Sequence, residues 1–178
     1  ALSAGANDAL SADLLSFIRQ GRSFSGREPH CAFLNTRTPR FADISAVSGL
    51  DLTDDGRAVG QGDWDRDGDL DLWIVNRNGP QLRFLRNRLP NTNRFLALRL
   101  EGTSSNRDAI GARVEMVGSN GKPLVRTVRA GDGYLSQSSK WLHLGLGETT
   151  DSSASVVVRW PDGTQDKFTD LSLNQHFV

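Results

Sequence analysis

The sequence predicts an all-β fold, and three observations predict it. Apolar residues fall in short runs with a period of two, as in residues 95–100 and 112–117. Turn-forming residues separate these runs at close intervals, and the 18 glycines of the 178-residue chain supply many of them. Only one stretch, near the beginning, carries helical periodicity.

In chain order, Ser11 is placed to cap a short helix through Leu14, Leu15, Phe17 and Ile18 that ends at Gly21. A helix of so few residues is unstable alone, so it docks by its apolar face or stays loose. Residues 22–30 read as a loop. Residues 57–62 read as a short strand, and over residues 70–75 Leu70, Leu72 and Ile74 alternate with Asp71, Trp73 and Val75, the periodicity of a second one. Asn78-Gly79-Pro80 turns the chain into a strand over 82–85. Strands follow at 95–100 and 112–117. The Asn-Gly pair of Ser119-Asn120-Gly121-Lys122 is a strong hairpin signal leading into 124–129. Further strands cover 141–146, 155–160 and 165–169, the last two joined by the turn Pro161-Asp162-Gly163-Thr164. This punctuation predicts a β-sandwich or small barrel over residues 93–178, preceded by a hairpin region over 31–92 and a helical segment and loop over 1–30.

Asp63-Trp64-Asp65-Arg66-Asp67-Gly68-Asp69-Leu70-Asp71 lies between the first two strands of the hairpin region. Five aspartates alternate across these nine residues. Carboxylates packed this closely repel one another unless a cation joins them. Asp63, Asp65 and Asp67 stand at positions one, three and five and Gly68 at six. Asp69 offers its backbone carbonyl at seven, and Asp71 closes the site at nine. Oxygen donors at this spacing suit calcium, and suit magnesium less well because it demands near-ideal octahedral geometry. Position twelve, the bidentate glutamate of an EF-hand, is Ile74, so the loop is not an EF-hand. The alternative, a solvated acidic turn with no ion, leaves the repulsion uncompensated.

With Leu72-Trp73-Ile74-Val75-Asn76 behind it, this loop resembles the aspartate-rich hairpin of FG-GAP/VCBS repeats, known from integrin-like β-propellers. Residues 31–35, 41–45 and 48–50 resemble the opening of the same repeat. The resemblance implies calcium held by the loop aspartates. The second half resembles the ASPIC/UnbV domain through residues 93–96, 105–114, 133–138, 142–147 and 158–163. That family includes cartilage acidic protein and many bacterial secreted proteins, in which the domain follows FG-GAP repeats. One repeat cannot close a propeller, which needs about four blades. The hairpin edges are therefore open to strand pairing with a second copy.

Lysine and arginine together number 21, as do aspartate and glutamate, so the net charge is zero and offers no general attraction to nucleic acid or an acidic membrane. No apolar run has the length of a membrane span. Ala1-Leu2-Ser3-Ala4 shows no signal-peptide pattern, and the chain reads as a mature or trimmed form. The lone Cys31 excludes an internal disulfide and is expected to be a small buried hydrophobe or a free thiol. A weak calcium loop suits calcium levels outside the cytosol, which favours a secreted, periplasmic or cell-surface protein.

His30, His143 and His176 are scattered, with no zinc-site spacing among them. His143, in a strand pattern, is expected to be a core or hydrogen-bonded histidine. Ser136, Ser138, Asp132 and His143 lack the Gly-x-Ser-x-Gly elbow of a hydrolase. Asn106, Arg107 and Asp108 shape a loop or, with Tyr134 and Gln137, line a pocket. Trp73 and Trp160 are expected to pack, and Trp64 to be exposed. The sequence reads as a non-enzymatic, calcium-stabilised module that binds a protein or mediates adhesion. Its rivals are a carbohydrate-binding module stacking a sugar on Trp64 or Tyr134, and an enzyme using the Asn106, Asp108, Tyr134 and Gln137 cluster.

Overall fold

The computed structural model describes residues 12–17, 19–20, 29–77, 79–117, 121, 123–134 and 136–178. It is mostly strand with little helix, an all-β fold in which no barrel closes. Two compact units divide the chain: residues 1–58 with 73–84, and residues 59–72 with 85–178.

In the first unit, residues 12–17 are helical, with Leu14 and Leu15 exposed. The expected cap Ser11, the helical Ile18 and the stop Gly21 lie outside the described residues, as does most of the 22–30 loop. β1 (Phe33–Asn35) and β2 (Phe41–Asp43) form a two-stranded antiparallel ribbon, followed by one helical turn at Ser45–Ser48. Phe33, Leu34 and Phe41 are exposed on this ribbon. Cys31 is exposed as well, correcting the expectation of a buried small hydrophobe. It lies just before a thin ribbon whose own strand residues are largely exposed, so a side chain there has little to be buried under. The Asp54 carboxylate takes the Arg83 guanidinium and the Asn76 amide.

β3 (Gly56–Gly62), β4 (Asp71–Asn76) and β5 (Leu82–Leu85) form a sheet in that order. The aspartate loop connects β3 to β4, as the alternation on either side predicts. Asn78, first residue of the expected turn before β5, lies outside the described residues.

The second unit is a sandwich. One sheet has the order β11 (Gln165–Ser172), β10 (Ser153–Arg159), β7 (Arg113–Val117), β8 (Pro123–Thr127), and it is antiparallel throughout. The other has the order β12 (Gln175–Phe177), β6 (Arg94–Leu98), β9 (Leu142–Gly147). Here β6 pairs antiparallel with β9 and parallel with β12. Val114, Met116, Val156 and Val158 of the first sheet share one buried cluster with Leu96, Leu98, Leu142 and Leu144 of the second. Each fully buried leucine there contributes about 1.5–3 kcal/mol of transfer free energy. Of the Asn120-Gly121 turn expected between β7 and β8, only Gly121 is described, at φ 71°, the left-handed backbone such turns use.

β6 departs from simple alternation. Phe95, Leu96, Ala97 and Leu98 are all buried, so the strand is covered on both faces. Leu96 and Leu98 enter the sandwich core. Phe95 and Ala97 face the other way, and Ala97 stands opposite His143 on β9 and His176 on β12. Directly opposed residues share a face of the sheet. The outer face of this sheet therefore carries two imidazoles flanking one small side chain, with Phe95 beside them.

Candidate metal centre

The aspartate loop lies against this outer face. The ring of Phe95 stacks on His143 with centroids 5.4 Å apart and meets His176 edge-on at the same distance. Gly68, at φ 94°, brings its backbone against the Phe95 ring so closely that any Cβ there would overlap it. Position six of the loop thus needs glycine twice over, for the left-handed backbone and for the contact. Arg66 also adopts a left-handed conformation, at φ 60°.

Asp63, Asp65 and Asp71 converge, each offering a carboxylate oxygen within 4.8 Å of the others. Asp63 and Asp71 are held by the surrounding chain. Asp71 is 1% exposed, and its two oxygens accept the backbone N–H groups of Trp64 at 3.0 Å and Asn87 at 2.9 Å. The Asp63 side chain is 6% exposed. Its Oδ2 accepts the Gly68 N–H at 3.0 Å and lies 3.2 Å from His176 Nε2, where an imidazole N–H donates to it. Its Oδ1 is buried with no hydrogen-bond partner among the described residues. Leaving a carboxylate oxygen desolvated and unpartnered is costly, and a bound cation removes that cost. An all-oxygen donor set is the chemistry of calcium, magnesium or manganese, not of zinc or copper. The residues present fit a hard divalent ion.

The side chains of the other two loop aspartates make hydrogen bonds of their own. Asp67 accepts the Asp69 N–H at 3.0 Å through Oδ1 and stands 3.4 Å from Arg86 Nη2 through Oδ2. The Asp69 side chain accepts the Asn91 amide at 2.7 Å. Arg86 also pairs with Asp65, so one guanidinium partly neutralises the exposed side of the loop.

Beyond Phe95 the chain carries a family signature. Residues 102–178 match the family model described as ASPIC and UnbV. No curated protein matches the chain. The ASPIC and UnbV segment contributes β7 to β12 and both histidines that face the loop. Burial pushes the His143 imidazole below its ordinary pKa, while the Asp63 charge opposes that shift.

Along the ASPIC and UnbV segment the remaining candidate residues separate. Asn106 uses its amide to bracket Ile110, accepting its N–H at 2.7 Å and donating to its carbonyl at 2.9 Å. Asp108 pairs with Lys140 at 2.5 Å, and this ammonium holds its carboxyl below the usual range. Tyr134 is 72% exposed, and Trp64 on the loop is 68% exposed. Gln137 alone of the polar cluster lines a cleft of about 750 Å³ floored by the outer face, whose walls include Asp63, His143 and His176. Asp132 shapes its rim by accepting the Ser138 N–H at 2.7 Å, and hydrogen bonding to Ser138, first its side chain and then its backbone, lowers the Asp132 pKa. Reading the sequence alone missed His176 as a neighbour of the loop. The alternation of Gln175-His176-Phe177 is the only local signal, and three residues are too few to read as a strand.

Proposed function

We propose that this chain is an exported, calcium-stabilised β module that mediates protein binding or adhesion and performs no catalysis. The observation that carries the calcium reading is Asp63 Oδ1, buried and unpartnered beside the carboxylates of Asp65 and Asp71. In this reading Asp63, Asp65 and Asp71 hold the ion, with Asp67 and the Asp69 carbonyl completing the donor set of an FG-GAP/VCBS-like repeat over residues 31–92. The ion supplies charge neutralisation and fixes the turn from β3 to β4. A loop of this weak type fills at calcium levels found outside the cytosol, which supports export. A structural role is supported by His176, since hydrogen bonds to ligating carboxylates orient them. Among the described residues no helix is long and apolar enough to cross a membrane.

Thermal melts in calcium, in magnesium and in chelator test the reading. At a hundred times its dissociation constant calcium adds about 2.7 kcal/mol, which raises the midpoint by roughly 5–10 °C in a domain of this size. The rise is specific to calcium and disappears in Asp65→Ala. Absence of any shift, in protein that metal analysis finds free of calcium, defeats the proposal.

The apolar ribbon β1–β2, with Phe33 and Phe41 exposed, supports self-association through its open strand edges. Light scattering behind size exclusion then shows dimers or larger species at high concentration, and a strictly monomeric profile refutes it. The exposure of Trp64 favours a second reading, carbohydrate binding by stacking, which glycan binding lost in Trp64→Ala would establish.

A further inference from the structure

The cleft beside the loop has a chemistry that a purely structural calcium site does not use. Four cationic side chains line it, Arg66, Arg126, Arg129 and Lys140, against two carboxylates, Asp63 and Asp132. Both carboxylates already accept hydrogen bonds from within the fold. Lys140 is neutralised by Asp108. Arg126 is fixed by its own neighbours, with Nε donating to the His143 carbonyl and Nη1 to the Val125 carbonyl. No ion pair to a carboxylate is formed by Arg66, Arg126 or Arg129 among the described residues. Arg129 is close enough to Asp132 to help lower its pKa without pairing with it.

Between these guanidinium groups stand neutral polar groups. The side-chain amides of Gln61 and Gln137 line the same cleft, and so does the half-buried indole of Trp141, whose ring meets His176 edge-on at 5.3 Å. Neither amide nor the indole N–H has a hydrogen-bond partner among the described residues. Guanidinium groups recognise carboxylates and sulfates in a fork geometry. Amides and an indole N–H serve hydroxyl groups. The cleft's volume, about 750 Å³, is that of a small-molecule site, typically about 300–1,000 Å³.

We infer that this cleft binds an acidic saccharide, with Arg126 and Arg129 taking the carboxylate or sulfate and Gln61, Gln137 and Trp141 taking hydroxyls. The inference deepens the binding-module reading by naming a ligand class, and it rests on that reading only in its claim that the chain binds rather than catalyses. An ion on Asp63 would make the cleft more positive, but the cationic excess exists without it.

Calorimetric titration of the full chain tests the inference. Galacturonate is the probe in calcium-containing buffer, against a protein-free blank, with galactose, sodium sulfate and an acidic hexapeptide as comparisons. Galacturonate gives a saturable heat with a dissociation constant of roughly millimolar or below. Galactose and sulfate each bind at least about tenfold more weakly, and Arg129→Ala weakens galacturonate by about tenfold or more. Arg126→Gln repeats the test if Arg129→Ala fails to fold, as its melt will show. No heat from galacturonate overturns the inference. So does sulfate binding as tightly as the sugar, or saturable binding of the peptide alone. The calcium reading is scored separately, by the shift in melting temperature, so that either can fail while the other stands.

Discussion

Replacing Gly68 by alanine adds one methyl group at the point where the aspartate loop meets the sandwich. The backbone there has φ 94°, and a Cβ would stand 3.0 Å from Cζ of Phe95 and closer still to Cδ1 and Cε1. Phe95 has little room to yield, because it is 8% exposed and packed against both His143 and His176. A left-handed backbone costs an L-residue about 1–2 kcal/mol, and overpacking a filled site costs about 1–3 kcal/mol more. The sum, about 2–5 kcal/mol, lowers the thermal midpoint by about 5–20 °C in a chain of this size. Thermal and urea melts of wild type and variant are run in one and the same buffer, so that the difference reports packing. A double-mutant cycle with Phe95→Ala isolates the contact. Once the ring is gone, Gly68→Ala costs only the backbone part, about 1–2 kcal/mol. Equal cost of Gly68→Ala in both backgrounds, or a midpoint unchanged in the wild-type background, would refute the packing of the loop on this face.

Two further outcomes follow from the same structure. Leu144→Ala, at a position with no exposure in the core shared by both sandwich sheets, lowers stability by about 2–5 kcal/mol in urea unfolding; a smaller loss means that the two sheets do not share one filled core. Hydrogen bonding to Arg83 holds the Asp54 carboxyl below its ordinary pKa, so its stabilising contribution is complete above the unfolded value and is lost as pH falls through the lower folded value. The difference in melting temperature between wild type and Asp54→Asn is accordingly constant near neutral pH and shrinks below about pH 4, whereas a pH-independent difference rules out a charged pair.

The strands that alternate over five or more residues were legible from pattern alone, because burial on one face imposes a period of two. β7 and β10 are found close to where alternation and turns place them. The three-residue strands β1, β2 and β12 were not legible, since each is too short to display a period. β12 exists through its pairing with β6, about eighty residues earlier in the chain, and no local signal reports such a partner. The same distance effect explains Cys31. Cysteine is commonly buried, but whether a second layer covers it is decided by remote segments.

The candidate metal centre shows where spacing stops being informative. Alternate aspartates and a glycine at position six identify the loop, because those features are local to the turn. Which carboxylates converge is decided by what each can reach. Arg86, fifteen residues beyond Asp71, draws on Asp67, and Asn91 draws on Asp69, while Asp65 pairs with Arg86 and still converges with Asp63 and Asp71. His176, more than a hundred residues from Asp63, takes one oxygen of that carboxylate and leaves the other buried and unpartnered. The loop's capacity for an ion is thus built from both ends of the second unit. The aspartates supply negative charge, and the outer face of the β12-β6-β9 sheet supplies burial and a hydrogen bond. Through that bond the imidazole of His176 orients the Asp63 carboxylate. The same face, continued past Ala97 and His143, becomes the floor of the basic cleft.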